Sequence, residues 1–184
     1  MNPPVHISFV GLPGSGKSTI GRQLARRFGW NFLDTDHVIE HRIGTSIREF
    51  FEREGEEAFR NIEEAVIDEL TLAAEPAVLS TGGGAVLRPA NRDCLKGRTC
   101  TLYLHSTPDD VFRRLRHDQN RPLLQVADPL LRLRELYAAR DPLYRETARM
   151  VVETGRPSVP ALVHLVAGQL FAAGLGPPGA AAPA

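Results

Sequence analysis

Lysine is nearly absent from this sequence, in which almost every basic residue is arginine. Of the 22 lysine and arginine residues, only Lys17 and Lys96 are lysines. The 22 aspartate and glutamate residues balance them, so the formal net charge is +0. A chain without net charge has no global field that would attract it to nucleic acid or to an anionic membrane. Any anion that it binds must therefore be recognised by a local site.

Cysteine is also scarce, and long apolar runs are missing. Cys94 and Cys100 form no C-x-x-C pair and show no metal-ligand spacing with histidines, so they indicate reduced, partly buried thiols. No apolar run approaches the ~20 residues of a membrane helix. The N-terminus lacks the basic and apolar segments of a signal peptide. We therefore expect a cytoplasmic protein that binds neither nucleic acid nor membranes.

Short apolar runs alternate with segments of helical periodicity along the 184 residues. The pattern predicts strands at 5–10, 31–33, 77–79, 99–104 and 149–153. It predicts helices at 18–28, 36–43, 46–52, 56–73, 108–117, 129–147 and 159–172. This alternation favours an α/β fold, in which helices cover both faces of a parallel sheet of about five strands.

The chain length and composition predict one domain with one sizeable core, at residues 1–173. Residues 174–184 are glycine, proline and alanine apart from Leu175, and we expect them to form a disordered tail. A polar, turn-prone segment at about 116–127 separates two predicted helices and suits a mobile lid.

A phosphate-binding motif follows the first predicted strand and opens the first helix. Residues 11–18, GLPGSGKS, fit G-x-x-x-x-G-K-[ST] without a mismatch. Its glycines allow backbone N–H groups to point at phosphate oxygens, while Lys17 reaches the terminal phosphates and the Ser18 hydroxyl binds Mg²⁺. The motif predicts ATP or GTP binding. It leaves open whether water or a second substrate accepts the phosphate.

Two acidic residues follow the second predicted strand. Asp34 and Asp36 lie at the carboxyl end of the sheet, where ligands bind in doubly wound folds. Their spacing would place both side chains on one face if the strand continued through them. One carboxylate could then serve Mg²⁺ and the other an acceptor hydroxyl. The alternative is that Asp-Thr-Asp forms a turn and caps the next helix.

The third strand ends in three glycines, at residues 82–84. Such a run permits close approach of the backbone to a ligand, although a flexible loop is the alternative. Arg60, Arg121 and Arg140 cannot be distinguished from surface arginines by spacing alone. Arg121 is the most suggestive, because a lid could bring it to the transferred phosphoryl group.

The motifs together resemble the shikimate kinase family over residues 5–170. The resemblance depends on the order and spacing of several segments. They are GxxGxGKSTIG at 11–21, Asp34-x-Asp36, GExxFRxxE at 55–63, the glycines at 82–84, RPLL at 121–124 and RxPxY at 140–144. This resemblance implies a kinase that uses ATP and Mg²⁺ to phosphorylate shikimate, and we expect a monomer.

The resemblance also implies roles for individual residues. Lys17 would steady the phosphates, Ser18 would bind Mg²⁺ and Asp34 would support the metal through water. Asp36 would bind the shikimate hydroxyls and act as the base. The shikimate carboxylate and ring would contact Arg60, Arg140, Gly82 and Gly83, with Glu63 holding Arg60. The remaining nucleotide contacts would be Gly14, Ser15, Gly16, Thr19, Arg114, Arg121 and, by a loose alignment, Arg156.

Two other functions remain as alternatives. A gluconate or nucleoside monophosphate kinase would share the phosphate loop, but it would not combine Asp34-x-Asp36, FRxxE and three glycines. A sensor that binds a small acid without turnover should have lost Lys17, Asp34 or Asp36, all of which are present.

Overall fold

The computed structural model describes residues 6–118 and 124–177 and confirms the predicted α/β fold. The described residues form one parallel sheet with the strand order β2-β3-β1-β4-β5. The strands are β1 (His6–Val10), β2 (Asn31–Asp34), β3 (Ala77–Ser80), β4 (Thr99–His105) and β5 (Met150–Glu153). The helices are α1 (Lys17–Phe28), α2 (Thr35–Ile43), α3 (Ile47–Leu72), α4 (Pro89–Arg98), α5 (Pro108–Leu115), α6 (Pro129–Thr147) and α7 (Val159–Ala172).

The central strand β1 shows why helices cover both faces of the sheet. Every residue of β1 is buried, as expected for a parallel strand that is covered on both sides. On one face, Ile7 and Phe9 pack with Leu24 of α1 and Val166 of α7. On the other face, Val10 packs with apolar residues of α3 to α6. These two cores fix the carboxyl ends of the strands relative to the helices that follow them.

Helices α2 and α3 share a smaller third core. Ile39, Phe59 and Val66 are its buried members. Gly55 interrupts α3 with a φ of 84° and a ψ of 174°, so the chain bends where the sequence predicts a break between two helices. Within residues 6–118 and 124–177, no helix is long and apolar enough to cross a membrane.

Residues 85–98, for which the sequence pattern predicts no helix or strand, are largely helical. Residues Ala85–Leu87 form a short 3₁₀ helix, and helix α4 follows with Pro89 in its first turn. Proline is favourable there because its fixed φ suits the start of a helix. Helix α4 buries only Asn91 and Leu95. Its apolar periodicity is therefore too weak to identify it.

The predicted end of the domain at residue 173 is too early. Leu175 is only 7% exposed and belongs to the core between the sheet and helices α1 and α7. Its backbone N–H also donates a hydrogen bond to the carbonyl of Leu170. One leucine in a segment of small residues gives no periodic signal, so the sequence cannot show that it is buried. Residues 178–184 of the predicted tail lie outside the described residues.

Helix α1 crosses strand β2 at a glycine. A Cβ atom at Gly21 would lie 2.9 Å from the ring of Phe32 and 3.5 Å from the ring of Phe9. Real Cβ atoms do not approach a ring carbon this closely, so an alanine would force the helix and the strand apart. The absence of a side chain at Gly21 therefore sets the distance between α1 and the sheet.

We expect Gly21→Ala to lower the free energy of unfolding by about 1–3 kcal/mol, because the added methyl overpacks this contact. Urea unfolding measures the change. Gly97→Ala is the matched control, since it lies in α4 and its Cβ would have no neighbour within 4 Å. That substitution should stabilise the protein by up to about 1 kcal/mol through helix propensity. Equal effects of the two substitutions would contradict the packing argument.

Candidate active site

The glycine-rich loop joins the central strand β1 to helix α1, as the sequence predicts. Gly16 precedes the helix with a φ of 96°, a left-handed conformation that favours glycine. The first N–H groups of a helix lack intrahelical acceptors and carry partial positive charge. The first turn of α1 contains no acidic residue that would oppose this charge. The loop and the start of α1 therefore present donors suited to a phosphate.

Lys17 is held against the backbone of this loop. Its Nζ atom donates hydrogen bonds to the carbonyl oxygens of Gly11, at 2.8 Å, and Leu12, at 2.9 Å. Ser15 Oγ lies 3.5 Å from the same atom. Lys17 is 8% exposed, so its charge lies in a poorly solvated setting, where it acts more strongly on a neighbouring anion.

Three oxygen-bearing side chains meet beside the start of α1. The Ser18 hydroxyl donates to Asp34 Oδ2 at 2.7 Å and lies 3.1 Å from Ser80 Oγ. Asp34 and Ser80 are partners in the register between β2 and β3. Hydroxyl and carboxylate oxygens suit Mg²⁺, which takes few protein ligands and completes its shell with water and phosphate oxygens. Within the described residues, no cluster of three or more His, Cys, Asp and Glu side chains offers an alternative metal site.

Asp34 also caps helix α2, so the two interpretations of this residue are compatible. Its Oδ1 atom accepts from the backbone N–H groups of Asp36, at 3.0 Å, and His37, at 3.4 Å. Strand β2 ends at Asp34, and Asp36 lies in the first turn of α2. The strand therefore does not continue through both residues, and Asp36 belongs to the helix that the sequence predicts at 36–43. The helix instead places Asp36 beside the loop that follows β3.

Asp36 lies in an environment that disfavours its charge. Burial raises the pKa of its carboxyl group above the usual range, and the nearby charge of Asp34 raises it further. The positive charges of Lys17 and Arg60 oppose this rise. A carboxylate with a raised pKa is a stronger base than a solvated one, as expected of a group that accepts a proton.

Arg60 and Glu63 form a largely buried ion pair on helix α3. Arg60 Nη1 lies 2.7 Å from Glu63 Oε1, and the side chains are 12% and 1% exposed. Glu56 Oε1 accepts from the other edge of the guanidinium at 3.4 Å. Burial raises the pKa of Glu63, while Arg60 opposes the rise. The two acidic residues thus fix the orientation of the Arg60 guanidinium.

The glycines after β3 bring the backbone against both groups. A Cβ atom at Gly82 would lie 2.8 Å from Asp36 Oδ1 and 3.3 Å from Glu63 Oε2. A Cβ atom at Gly84 would lie 2.7 Å from Arg60 Nη1. Side chains at these positions would displace the carboxylate and the guanidinium. The glycines therefore let the backbone pass close to these side chains, and approach of the backbone to a ligand stays a prediction.

Helix α6 contributes Arg140 and Tyr144 to the same region. The Tyr144 hydroxyl donates to the carbonyl oxygen of Gly83 at 2.5 Å. Burial raises the pKa values of this hydroxyl and of Glu63, and the positive charge of Arg140 opposes part of both rises. Arg60 on α3 and Arg140 on α6 therefore both lie close enough to Glu63 and the Tyr144 hydroxyl to influence their pKa values.

Asp36 lines two adjoining cavities. The smaller one, of about 240 Å³, is lined by the glycine-rich loop and by the ends of β2 and β3. The residues that the sequence predicts for the site and that line this cavity are Gly14, Gly16, Lys17, Ser18, Thr19, Asp34, Asp36, Gly82 and Gly83. The other, of about 670 Å³, is lined by residues of α2 and α3, including Asp36, Glu40 and Phe51, and by Gln125. The phosphate loop and the acid pair thus open onto one space.

The predicted adenine contacts lie apart from this space. Arg114 donates to the carbonyl oxygen of Thr154 at 2.8 Å and to Ser106 Oγ at 3.3 Å. Arg156 lines a separate cavity of about 730 Å³ with Val151 and other residues of β5 and α7. Arg156 does not line the cavity at the phosphate loop, and contact of Arg114 or Arg156 with the adenine stays a prediction. Arg121 lies outside the described residues.

Ser80 and Tyr144 contact the site, although no sequence pattern predicts a role for either residue. Ser80 is a small polar residue at the end of a buried strand. The register between β2 and β3 places it beside Asp34, and its hydroxyl lies within hydrogen-bond distance of Ser18. Tyr144 belongs to the RxPxY segment, but a motif does not show which atom its hydroxyl contacts. Both residues meet the site through contacts between elements that are distant in sequence.

The family model described as shikimate kinase matches residues 13–170. A shikimate kinase of Paracidovorax citrulli is 59% identical, covering 96% of this chain and 97% of the relative. One of Burkholderia lata is 55% identical, covering 95% and 94%.

Solved structures give the same result. The shikimate kinase from Acinetobacter baumannii in complex with shikimate is 42% identical, with a TM-score of 0.87, covering 95% of this chain and 96% of that one. A gluconokinase from Sinorhizobium meliloti covers 92% of this chain, but it is 20% identical with a TM-score of 0.56 and shares only the fold. The chain belongs to the shikimate kinase family.

Proposed function

We propose that this protein transfers the γ-phosphate of ATP to the 3-hydroxyl of shikimate, giving shikimate 3-phosphate and ADP. Membership of the shikimate kinase family supports this reaction. The observation that carries it is the position of Asp36, which lines both the phosphate cavity and the adjoining cavity. A base at the junction of two cavities can contact an acceptor hydroxyl and face the phosphate that this hydroxyl attacks.

The phosphate side binds and orients ATP. Backbone N–H groups of the loop, from Gly14 to Thr19 and including Ser15 and Gly16, hold the phosphate oxygens. Lys17 exchanges its contacts with loop carbonyl oxygens for contacts with the terminal phosphates. Ser18 would hold Mg²⁺ directly, and Asp34 would hold it through water. Magnesium, when bound, neutralises charge on the phosphates.

The acceptor side binds and orients shikimate. Asp36 accepts a hydrogen bond from the 3-hydroxyl and takes its proton as the bond to phosphorus forms. Arg60 and Arg140 bind the carboxylate, because a guanidinium can donate two parallel hydrogen bonds to it. Glu63 holds Arg60 in place. Gly82 and Gly83 let the backbone approach the ring.

The roles of the lid and of the residues on the adenine side stay predictions. Arg121 is the lid arginine that stabilises charge on the transferred phosphoryl group, and Arg114 and Arg156 lie on the adenine side. Closure of the predicted lid at about 116–127 would exclude water from the transfer. The monomeric state and the cytoplasmic location also stay predictions.

The substrate assignment is tested by offering the purified protein and MgATP four acceptors separately: shikimate, quinate, gluconate and a nucleoside monophosphate. ADP release should be fast with shikimate and near background with the last two. Brisk turnover of gluconate or the nucleotide, with none of shikimate, would reject the assignment.

We expect Asp36→Asn to lower kcat by about 100-fold or more, because the amide cannot accept the proton. Steady-state ADP release measures the rate, and titration with MgADP should give a Kd near that of the unsubstituted protein. Full activity in the variant would contradict the role given to Asp36.

The same variant should unfold at a higher temperature at neutral pH. A raised carboxyl pKa means that the folded state holds the proton more tightly than the unfolded state does. The charge of Asp36 therefore destabilises the fold above that pKa, and the protein without ligands gains stability as pH falls through it. Asparagine carries no such charge. Thermal unfolding of both proteins at several pH values checks this. If Asp36→Asn had a lower Tm than the unsubstituted protein at neutral pH, the charge of Asp36 would not be destabilising.

We expect Arg60→Lys to raise the KM for shikimate by about 10- to 100-fold, since a lysine keeps the charge but loses the bidentate contact. The KM for ATP should stay unchanged. Arg88→Lys is the matched control, because Arg88 contacts Asn61 and Glu64 on the same helix α3. A similar rise in both variants would show that the effect is not specific to the acceptor.

A further inference from the structure

Tyr144 is a buried residue whose hydroxyl faces the glycine segment rather than solvent. Its side chain is 0% exposed, and the hydroxyl donates to the carbonyl oxygen of Gly83 at 2.5 Å. Burial raises the pKa of Tyr144 to about 12, so the hydroxyl keeps its proton and remains a donor at neutral pH. The ring packs against that of Tyr103, with the centroids 5.0 Å apart.

The contact with Gly83 fixes the middle of three glycines. Gly82 on one side faces Asp36 and Glu63, and Gly84 on the other side faces Arg60. Both neighbours lie so close to these side chains that a small shift of the backbone would change their positions. A hydrogen bond to the central carbonyl therefore holds the backbone between the base and the arginine.

The same hydroxyl lies next to Arg140, one helical turn earlier in α6. The positive charge of Arg140 opposes part of the rise in the pKa of this hydroxyl. A guanidinium only donates, whereas a hydroxyl donates one hydrogen bond and accepts others. The Tyr144 hydroxyl can thus donate to Gly83 and accept from Arg140 at the same time.

Helix α6 is weakened at this turn by Pro142. A proline inside a helix removes the backbone hydrogen bond to the carbonyl four residues earlier. The turn that carries Arg140 and Tyr144 therefore depends more on side-chain contacts for its position than a regular helical turn does.

We propose that Tyr144 is a positioning residue for the acceptor, which joins Arg140 to the backbone of Gly83 and so sets the distance across the carboxylate-binding site. This inference rests on the proposed function, because it concerns binding of the acceptor by the same site. Tyr144 acts through Arg140 and the glycines and takes no part in proton transfer.

The test compares Tyr144→Phe with Tyr103→Phe. Both residues are fully buried and their rings pack together, so each substitution removes one buried hydroxyl. The Tyr103 hydroxyl donates to Asp141 Oδ1 at 2.8 Å and not to the glycine segment. Tyr144→Phe should raise the KM for shikimate by about 10-fold, as expected for the loss of about 1.4 kcal/mol of binding free energy. The KM for ATP and kcat should change by less than about 3-fold. Tyr103→Phe should leave both KM values unchanged.

Thermal unfolding of both variants separates positioning from a loss of stability. The inference is supported if the two variants lose similar stability and only Tyr144→Phe loses affinity for shikimate. It is overturned if Tyr144→Phe leaves the KM for shikimate unchanged, or raises the KM values for ATP and shikimate together. Failure of the unsubstituted protein to phosphorylate shikimate would instead reject the proposed function.

A double-mutant cycle with Arg140→Lys tests whether Tyr144 acts through Arg140. The double variant should show a smaller rise in KM for shikimate than the product of the two single rises, since both changes disturb one contact. If the rise in KM of the double variant equalled the product of the two single rises, the residues would act independently, which would overturn the proposed link.

Discussion

The site depends on keeping the Asp36 carboxylate in a partly buried position between two cavities. Burial and the neighbouring charge of Asp34 disfavour its ionised form, while Lys17 and Arg60 favour it. The balance requires both cations to stay close, because electrostatic interactions in a poorly solvated site are strong at short range. The loop around Lys17 and the ion pair of Arg60 with Glu63 provide those positions. Much of the surrounding structure can be understood as support for them.

The parallel sheet brings these groups together because its strands end at one edge. Strand β1 leads into the phosphate loop, β2 ends at Asp34 and β3 leads into the glycines. Cross-strand register aligns Asp34 with Ser80, so residues far apart in sequence meet beside Ser18. The buried faces of the sheet fix this edge, and the contact of Gly21 with Phe32 sets how closely α1 lies to it. Packing of the sheet against its helices thus determines the geometry of the site.

Much of the fold and the phosphate side could be predicted from local sequence patterns. Strand periodicity gave the five strands, and the loop motif gave Lys17 and Ser18. The remaining features depend on tertiary contacts. Helix α4 has little apolar periodicity, and Leu175 is a lone apolar residue among small ones. The sequence predicts the helix that carries Asp36, but only the tertiary structure places this residue beside Gly82. No local pattern could show the contact of Tyr144 with Gly83, because 61 residues separate them.

The scarcity of lysine gives this protein an internal spectroscopic reporter. One of its two lysines, Lys17, lies in the phosphate loop and is 8% exposed. The other, Lys96, has a side chain that is 45% exposed and lies 3.7 Å from Glu146 on α6. Selective isotope labelling of lysine would therefore give an NMR spectrum with two ε-methylene environments, one at the nucleotide and one on the surface. The surface signal would act as an internal reference, so nucleotide occupancy could be followed without introducing a foreign label.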